Sequence, residues 1–123
     1  MDILIVDLSS IARFGLTLAI SHINKLANFD EADSFQQCTG LIALKPYDFV
    51  FLNPNIFPTQ SIDFLAKIKQ IEPQVNLVII KDDRTCQEFV HRSKFYSKHN
   101  IELVQALDLC SEALERILHS IDH

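Results

Sequence analysis

Glycine is scarce in this chain, with only Gly15 and Gly40 among 123 residues. Neither follows the first apolar run, where a flavodoxin-like nucleotide binder places its phosphate cradle. The segment there, Asp7-Leu-Ser-Ser10, is short and has no glycine, and both glycines fall in predicted helices or at their edges. Basic residues are outnumbered 11 to 16, which gives a formal net charge of −5 and a pI near 5.4. A domain that holds nucleic acid by neutralising phosphates needs the opposite balance, so DNA contact is expected only through a separate domain. Cys38, Cys86 and Cys110 are odd in number and lack CxxC spacing, which argues against a disulfide scaffold and suits a reducing compartment. No apolar run approaches the roughly 20 residues of a membrane span. Asp2 spoils the basic start of a signal peptide, so the expectation is a cytoplasmic protein without membrane contact. A catalytic triad, a zinc cluster and a P-loop are all missing. No enzyme, metal or cofactor is expected.

Apolar residues make up 48% of the chain and charged residues 22%, enough core for one domain over residues 1–123. Ile3-Leu-Ile-Val6, Phe49-Val-Phe-Leu52 and Leu77-Val-Ile-Ile80 are short continuous apolar runs, as expected of strands covered on both faces. A weaker strand is predicted near 26–30 and another over 101–104. Between them lie helical stripes. Ser9 or Ser10 caps the first, which carries Ile11, Leu16, Ile20, Ile23 and Leu26. The second spans about 34–44 before Lys45-Pro46, and the third carries Ile62, Leu65, Ile68 and Ile71 before Glu72-Pro73. A fourth helix is predicted over about 84–96, and the last carries Leu107, Leu114, Ile117, Leu118 and Ile121. Five βα units imply a doubly wound parallel sheet with right-handed crossovers. Functional groups then gather at the carboxyl ends of the strands, here Asp7, Asn53, Lys81 and Gln105.

These residues carry a resemblance. Ile3-Leu-Ile-Val-Asp-Leu-Ser-Ser-Ile-Ala-Arg-Phe-Gly-Leu16 and Pro46-Tyr-Asp-Phe-Val-Phe-Leu-Asn-Pro-Asn55 resemble the opening and the acceptor segment of bacterial response-regulator receiver domains. The likeness is greatest to the NarL/FixJ type, which precedes a LuxR-like DNA-binding domain. Spacings of 46 from Asp7 to Asn53 and 28 from Asn53 to Lys81 agree with that family. The resemblance implies a flavodoxin/receiver-like (βα)5 fold with strand order 2-1-3-4-5, and it implies a degenerate phosphorylation pocket. Leu8 stands at the second acidic position that would help Asp7 hold Mg²⁺, and Asn53 stands at the acceptor aspartate. Lys81 falls on the hydroxyl position, Gln105 on the lysine and Glu102 on the aromatic switch. Asn55 matches a position that offers the metal only a main-chain carbonyl. A carboxamide lacks the anionic oxygen with which a carboxylate attacks phosphorus. Pro54 removes a main-chain N–H that would hold phosphoryl oxygens, and it blocks the succinimide route from Asn53 to aspartate. Lys81 has two readings, as a counter-ion to Asp7 in place of Mg²⁺ or as a lysine snorkelling to solvent.

The expectation is a pseudo-receiver that works as a homodimerisation and protein-interaction module in transcription regulation. Arg92, Phe95, Tyr96 and Lys98, with Lys94, His91 and His99, form a basic, aromatic patch read as a partner face. Phe14 and Leu18 on the first helix, with Leu114, Ile117 and Ile121 on the last, offer a rival surface. Two other functions compete: phosphorylation at a displaced carboxylate, Asp48 or Asp82, and flavodoxin-like ligand binding. His119 and His123 could share a helical face as metal ligands, although chance spacing at a chain end is the simpler account. Asp82-Asp83 reads as a turn cap rather than a cation site.

Overall fold

In the computed structural model, which describes residues 1–59, 62–85, 89 and 92–120, the apolar runs become strands covered on both faces. Ile3, Leu4, Ile5 and Val6 are at most 2% exposed, as are Phe49, Val50, Phe51 and Leu52. Strands β1 (Asp2–Val6), β2 (Asn28–Ala32), β3 (Phe49–Leu52), β4 (Asn76–Lys81) and β5 (Ile101–Gln105) form one sheet in the order β2-β1-β3-β4-β5. All neighbours are parallel, with Ile3 opposite Phe29 and Phe49, and Leu77 opposite Ile101. Alternating side chains feed two cores. Leu4, Val6, Val50, Leu52, Leu77 and Ile79 pack beneath α2 (Phe35–Leu44), α3 (Asp63–Ile71) and α4 (Ser93–Lys98). Ile3, Ile5, Phe49, Phe51, Val78 and Ile80 pack beneath α1 (Ser10–Ile23) and α5 (Ser111–His119). This is the flavodoxin/receiver-like doubly wound architecture.

Local chemistry sets the helix bounds. The Ser9 hydroxyl accepts from Ala12 N–H at 3.2 Å to cap α1, and Ser34 accepts from Gln37 N–H at 3.1 Å to cap α2. Several readings need correction. The first helix ends at Ile23, so Leu26 lies beyond it at 86% exposure, and Ile11 faces outward at 83%. The fourth helix begins at Ser93 rather than near 84, because Asp82 starts a turn instead. Its Oδ1 accepts from Arg84 N–H at 2.8 Å, while its own N–H donates to the Thr85 hydroxyl at 2.9 Å. Leu107 sits in a short 3₁₀ turn, Ala106–Asp108, before α5 and is 90% exposed.

The candidate interface residues separate by burial. Tyr96 (5% exposed), Leu114 (1%) and Ile117 (1%) belong to the cores and cannot form an outer face. The Tyr96 hydroxyl donates to the Phe89 carbonyl at 2.5 Å, while Leu114 and Ile117 lie on the side of α5 turned to the sheet. Phe95 is half-buried against Tyr96 and His99. Arg92, Lys98, Phe14 and Leu18 remain exposed. Ile121, His123, Cys86 and His91 lie outside the described residues, and the proposed His119/His123 pair falls with His123. No helix among the described residues is long and apolar enough to cross a membrane.

Lys69 on α3 is buried and donates to the Val75 carbonyl at 2.5 Å. Burial lowers its ammonium from 10.5 to about 8, against a smaller opposing pull from Glu72. Below about pH 8 the folded protein must bury the charge. As pH rises from there toward 10.5, the unfolded chain holds a proton that the folded one has released, and this cost shrinks. Lys69→Met also leaves the Val75 carbonyl without this donor, a cost that does not change with pH. Its stability relative to the parent should therefore be highest near neutral pH, with the advantage fading on the alkaline side. Urea midpoints for both proteins across this range check it, and an advantage independent of pH would contradict it.

Candidate functional site

Parallel β1 and β3 lie side by side, so their carboxyl ends bring Asp7 and Asn53 together. Asn53 N–H donates to the Val6 carbonyl at 2.9 Å, and Asp7 N–H donates to Ala32 at 3.1 Å. Both side chains are nearly buried, at 9% and 7% exposure. The chain then turns through a 3₁₀ segment, Pro54–Ile56, where proline suits the first position because it has no N–H to leave unsatisfied.

Two carboxamides tie this corner together. Asn53 Oδ1 accepts from Asn55 N–H at 3.0 Å; a main-chain N–H can only donate, so the amide nitrogen of Asn53 must point the other way. It donates to Asp82 Oδ2 at 3.3 Å on the turn after β4. The same logic orients Asn55. Its Oδ1 accepts from Leu8 N–H at 3.2 Å, which turns its Nδ2 to Asp7 Oδ1 at 2.9 Å. Asp7 Oδ1 also accepts from Ser9 N–H at 2.8 Å. Arg13 Nη1 donates to the Asp7 carbonyl at 2.5 Å, while its Nε pairs with Glu31 at 2.8 Å. The β1, β3 and β4 ends are thus linked through side-chain amides.

An aspartate at position 53 would face Asp82 carboxylate to carboxylate and would lose the only donor between them. Burial pushes the Asp82 carboxyl upward. Its bonds from Arg84 N–H, the Asn53 amide and the Thr85 hydroxyl, together with the Arg84 charge, outweigh that and hold it below its ordinary value. It is a stable anion.

The remaining predicted residues divide. Leu8 is 58% exposed and contributes only its N–H. Pro54 is buried in the turn. Lys81 and Gln105 sit opposite each other at the ends of β4 and β5, and neither lines the cavity of about 420 Å³ at this corner. That cavity is lined by Leu8, Ser9, the 53–55 turn, Asp82, Arg84 and Thr85. Among the described residues no ion pair joins Lys81 to Asp7. The residue that reaches the site is Asp82, one position beyond β4. Glu102, read as the switch position, pairs with Arg116 of α5 at 2.9 Å, and the α4-side core instead takes Leu103. Asp48 accepts from Asp2 N–H at 2.7 Å at the amino end of the sheet, opposite the site.

The donor set does not fit Mg²⁺. Leu8 offers no side-chain oxygen, one Asp7 oxygen is committed to two N–H donors, and no cluster of three metal-binding side chains exists among the described residues.

No protein-family model matches the sequence. A transcriptional regulatory protein, LytR of Staphylococcus aureus strain N315, is 26% identical over 91 residues, covering 72% of this chain and 37% of LytR. The chain spans little more than a third of that relative. The receiver domain of NtrX from Brucella abortus superposes with a TM-score of 0.73 at 19% identity, covering 97% of this chain and 99% of that one. RcsB from Salmonella enterica serovar Typhimurium superposes with a TM-score of 0.75 at 13% identity, covering 98% and 67%. These likenesses establish the receiver fold.

Asn55→Ala removes both ends of one amide bridge and leaves the Leu8 N–H without its partner. It should cost about 1–3 kcal/mol, measured by chemical denaturation, and added Mg²⁺ should not restore it. An unchanged midpoint would show that the bridge carries no stability.

Proposed function

We propose that this chain is a receiver domain of a two-component response regulator that transmits its signal without aspartyl phosphorylation. It serves as a homodimerisation and protein-interaction module of a transcription regulator of the NarL/FixJ kind, and DNA contact belongs to a separate domain. The observation that carries this reading is the Asn53 carboxamide, fixed between Asn55 N–H and the Asp82 carboxylate where a receiver has its acceptor. Nucleophilic attack on phosphorus needs an anionic oxygen in line with the donor, and this side chain has none to offer. The sequence likeness to a transcriptional regulatory protein supports the output assigned here.

A second reading has one observation in its favour, since Asp82 is an ionised carboxylate inside the cavity. Both of its oxygens already accept hydrogen bonds, and no group of three metal-binding side chains is present among the described residues. Phosphorylation there would break the contact that holds Asn53.

Dimerisation is assigned to α1. Ile11, Phe14 and Leu18 lie outward along it, at 83%, 64% and 46% exposure. Arg13 and His22 are its only ionisable side chains, so two copies of an acidic protein can meet there without apposing carboxylates.

Incubation with phosphoramidate and Mg²⁺ followed by intact-mass measurement should show no adduct of about 80 Da, the mass of one phosphoryl group. An adduct lost on Asp82→Asn would install the second reading. By sedimentation, the parent should be dimeric and Phe14→Glu monomeric, while a parent that stays monomeric at high concentration contradicts the dimer.

A further inference from the structure

A second cleft of about 430 Å³ opens beside the amide-tied corner, between α1 and the segment joining β5 to α5. Its floor is apolar, made by Ile5, Phe51 and Ile80 of three adjacent strands. The α1 wall consists of Ala12, Gly15, Leu16 and Ala19, and Ala106 and Leu109 close the far side. A Cβ built on Gly15 meets no atom within 4 Å, so the small residues of this wall leave room that no described side chain fills. The volume falls in the range of small-molecule sites, and an apolar body with a few convergent polar groups is their usual composition.

The polar end of the cleft is formed by Asp7, Asn53, Asn55 and Asp82, with Arg84 at the rim. Asp7 is 91% buried by its 9% exposure, yet only its Oδ1 is engaged, by Ser9 N–H and Asn55 Nδ2. Among the described residues Oδ2 has no hydrogen-bond donor, and it belongs to a residue lining the cleft. The oxygen is not sealed off, so a donor entering the cleft can reach it. Two carboxylates against one guanidinium leave this end negative.

We infer that this cleft binds a small organic ammonium ligand with a flat apolar body, its N–H groups directed to Asp7 Oδ2 and its body seated between α1 and the β5–α5 segment. Binding there would bear on the α1 face assigned to dimerisation and so replace phosphate as input. The inference rests on the reading of the corner as a site without phosphoryl chemistry. The two fail separately, because phosphorylation registers as added mass and ligand binding registers in amide spectra without any phosphodonor.

The test uses naphthalen-1-ylmethylamine as probe and 1-naphthoate as its anionic counterpart in ¹⁵N–¹H titrations of the 123-residue chain. The amine should saturate with a Kd below about 1 mM and move the amides of Ala12, Gly15, Leu16 and Leu109, while naphthoate should not saturate. Gly15→Leu fills the cleft and favours the helix, so it should fold and abolish binding. Asp7→Asn keeps the acceptor for Ser9 and Asn55 but removes the charge, and it should weaken binding about tenfold. Absence of saturable shifts, equal binding of the carboxylate, or unaltered binding by either variant would overturn the proposal.

Discussion

The Asn55 carboxamide, spanning Asp7 Oδ1 and Leu8 N–H, is the contact on which the organisation of this corner depends. A divalent ion in a receiver pocket binds the acidic residues after the first strand to the loop after the third. Here an amide performs the same joining with one donor and one acceptor. The two solutions differ in an important way: a metal can leave, and its charge attracts phosphate, whereas a side chain is permanent and neutral. The Asn53 bridge to Asp82 extends the tie to the β4 end. Three strand ends are then fixed in one arrangement by groups that belong to the chain.

That arrangement can persist because the sheet beneath it is rigid. Residues at β1 and β3 are covered on both faces, and an error of one residue in register would exchange the two cores. Strand alternation also determines which residue at the end of β4 reaches the site. Ile80 packs toward α5 and α1, so Asp82 follows it into that region, while Lys81 points to the other side.

Much of this was legible in the sequence. The both-face-buried strands announce themselves as continuous apolar runs, and the strand order follows from the resemblance that Asp7 and Asn53 carry. That the third strand is followed by an amide at Asn53 rather than a carboxylate needs no coordinates. Less was legible where a single residue's direction matters. The resemblance assigned Asn55 only a main-chain role, so its side chain was overlooked, although Asn-Pro-Asn after a strand is a turn pattern that asks for side-chain hydrogen bonds. Lys81 was placed by counting and displaced by alternation. Asp-Asp-Arg-Thr likewise contains the capping pattern that delays the fourth helix to Ser93. On α1 and α5 an apolar residue is equally compatible with core and surface. Phe14 and Leu114 therefore looked alike until packing separated them.

The central claim is that side-chain amides occupy the positions and bonds of a metal-phosphoryl pocket. Side-chain ¹⁵N–¹H₂ resonances of Asn53 and Asn55 report on it directly. The account predicts slow hydrogen exchange at both amides and resonances unmoved by Mg²⁺ with beryllofluoride. Rapid exchange with solvent, or a saturable displacement of either resonance by those ions, would contradict it.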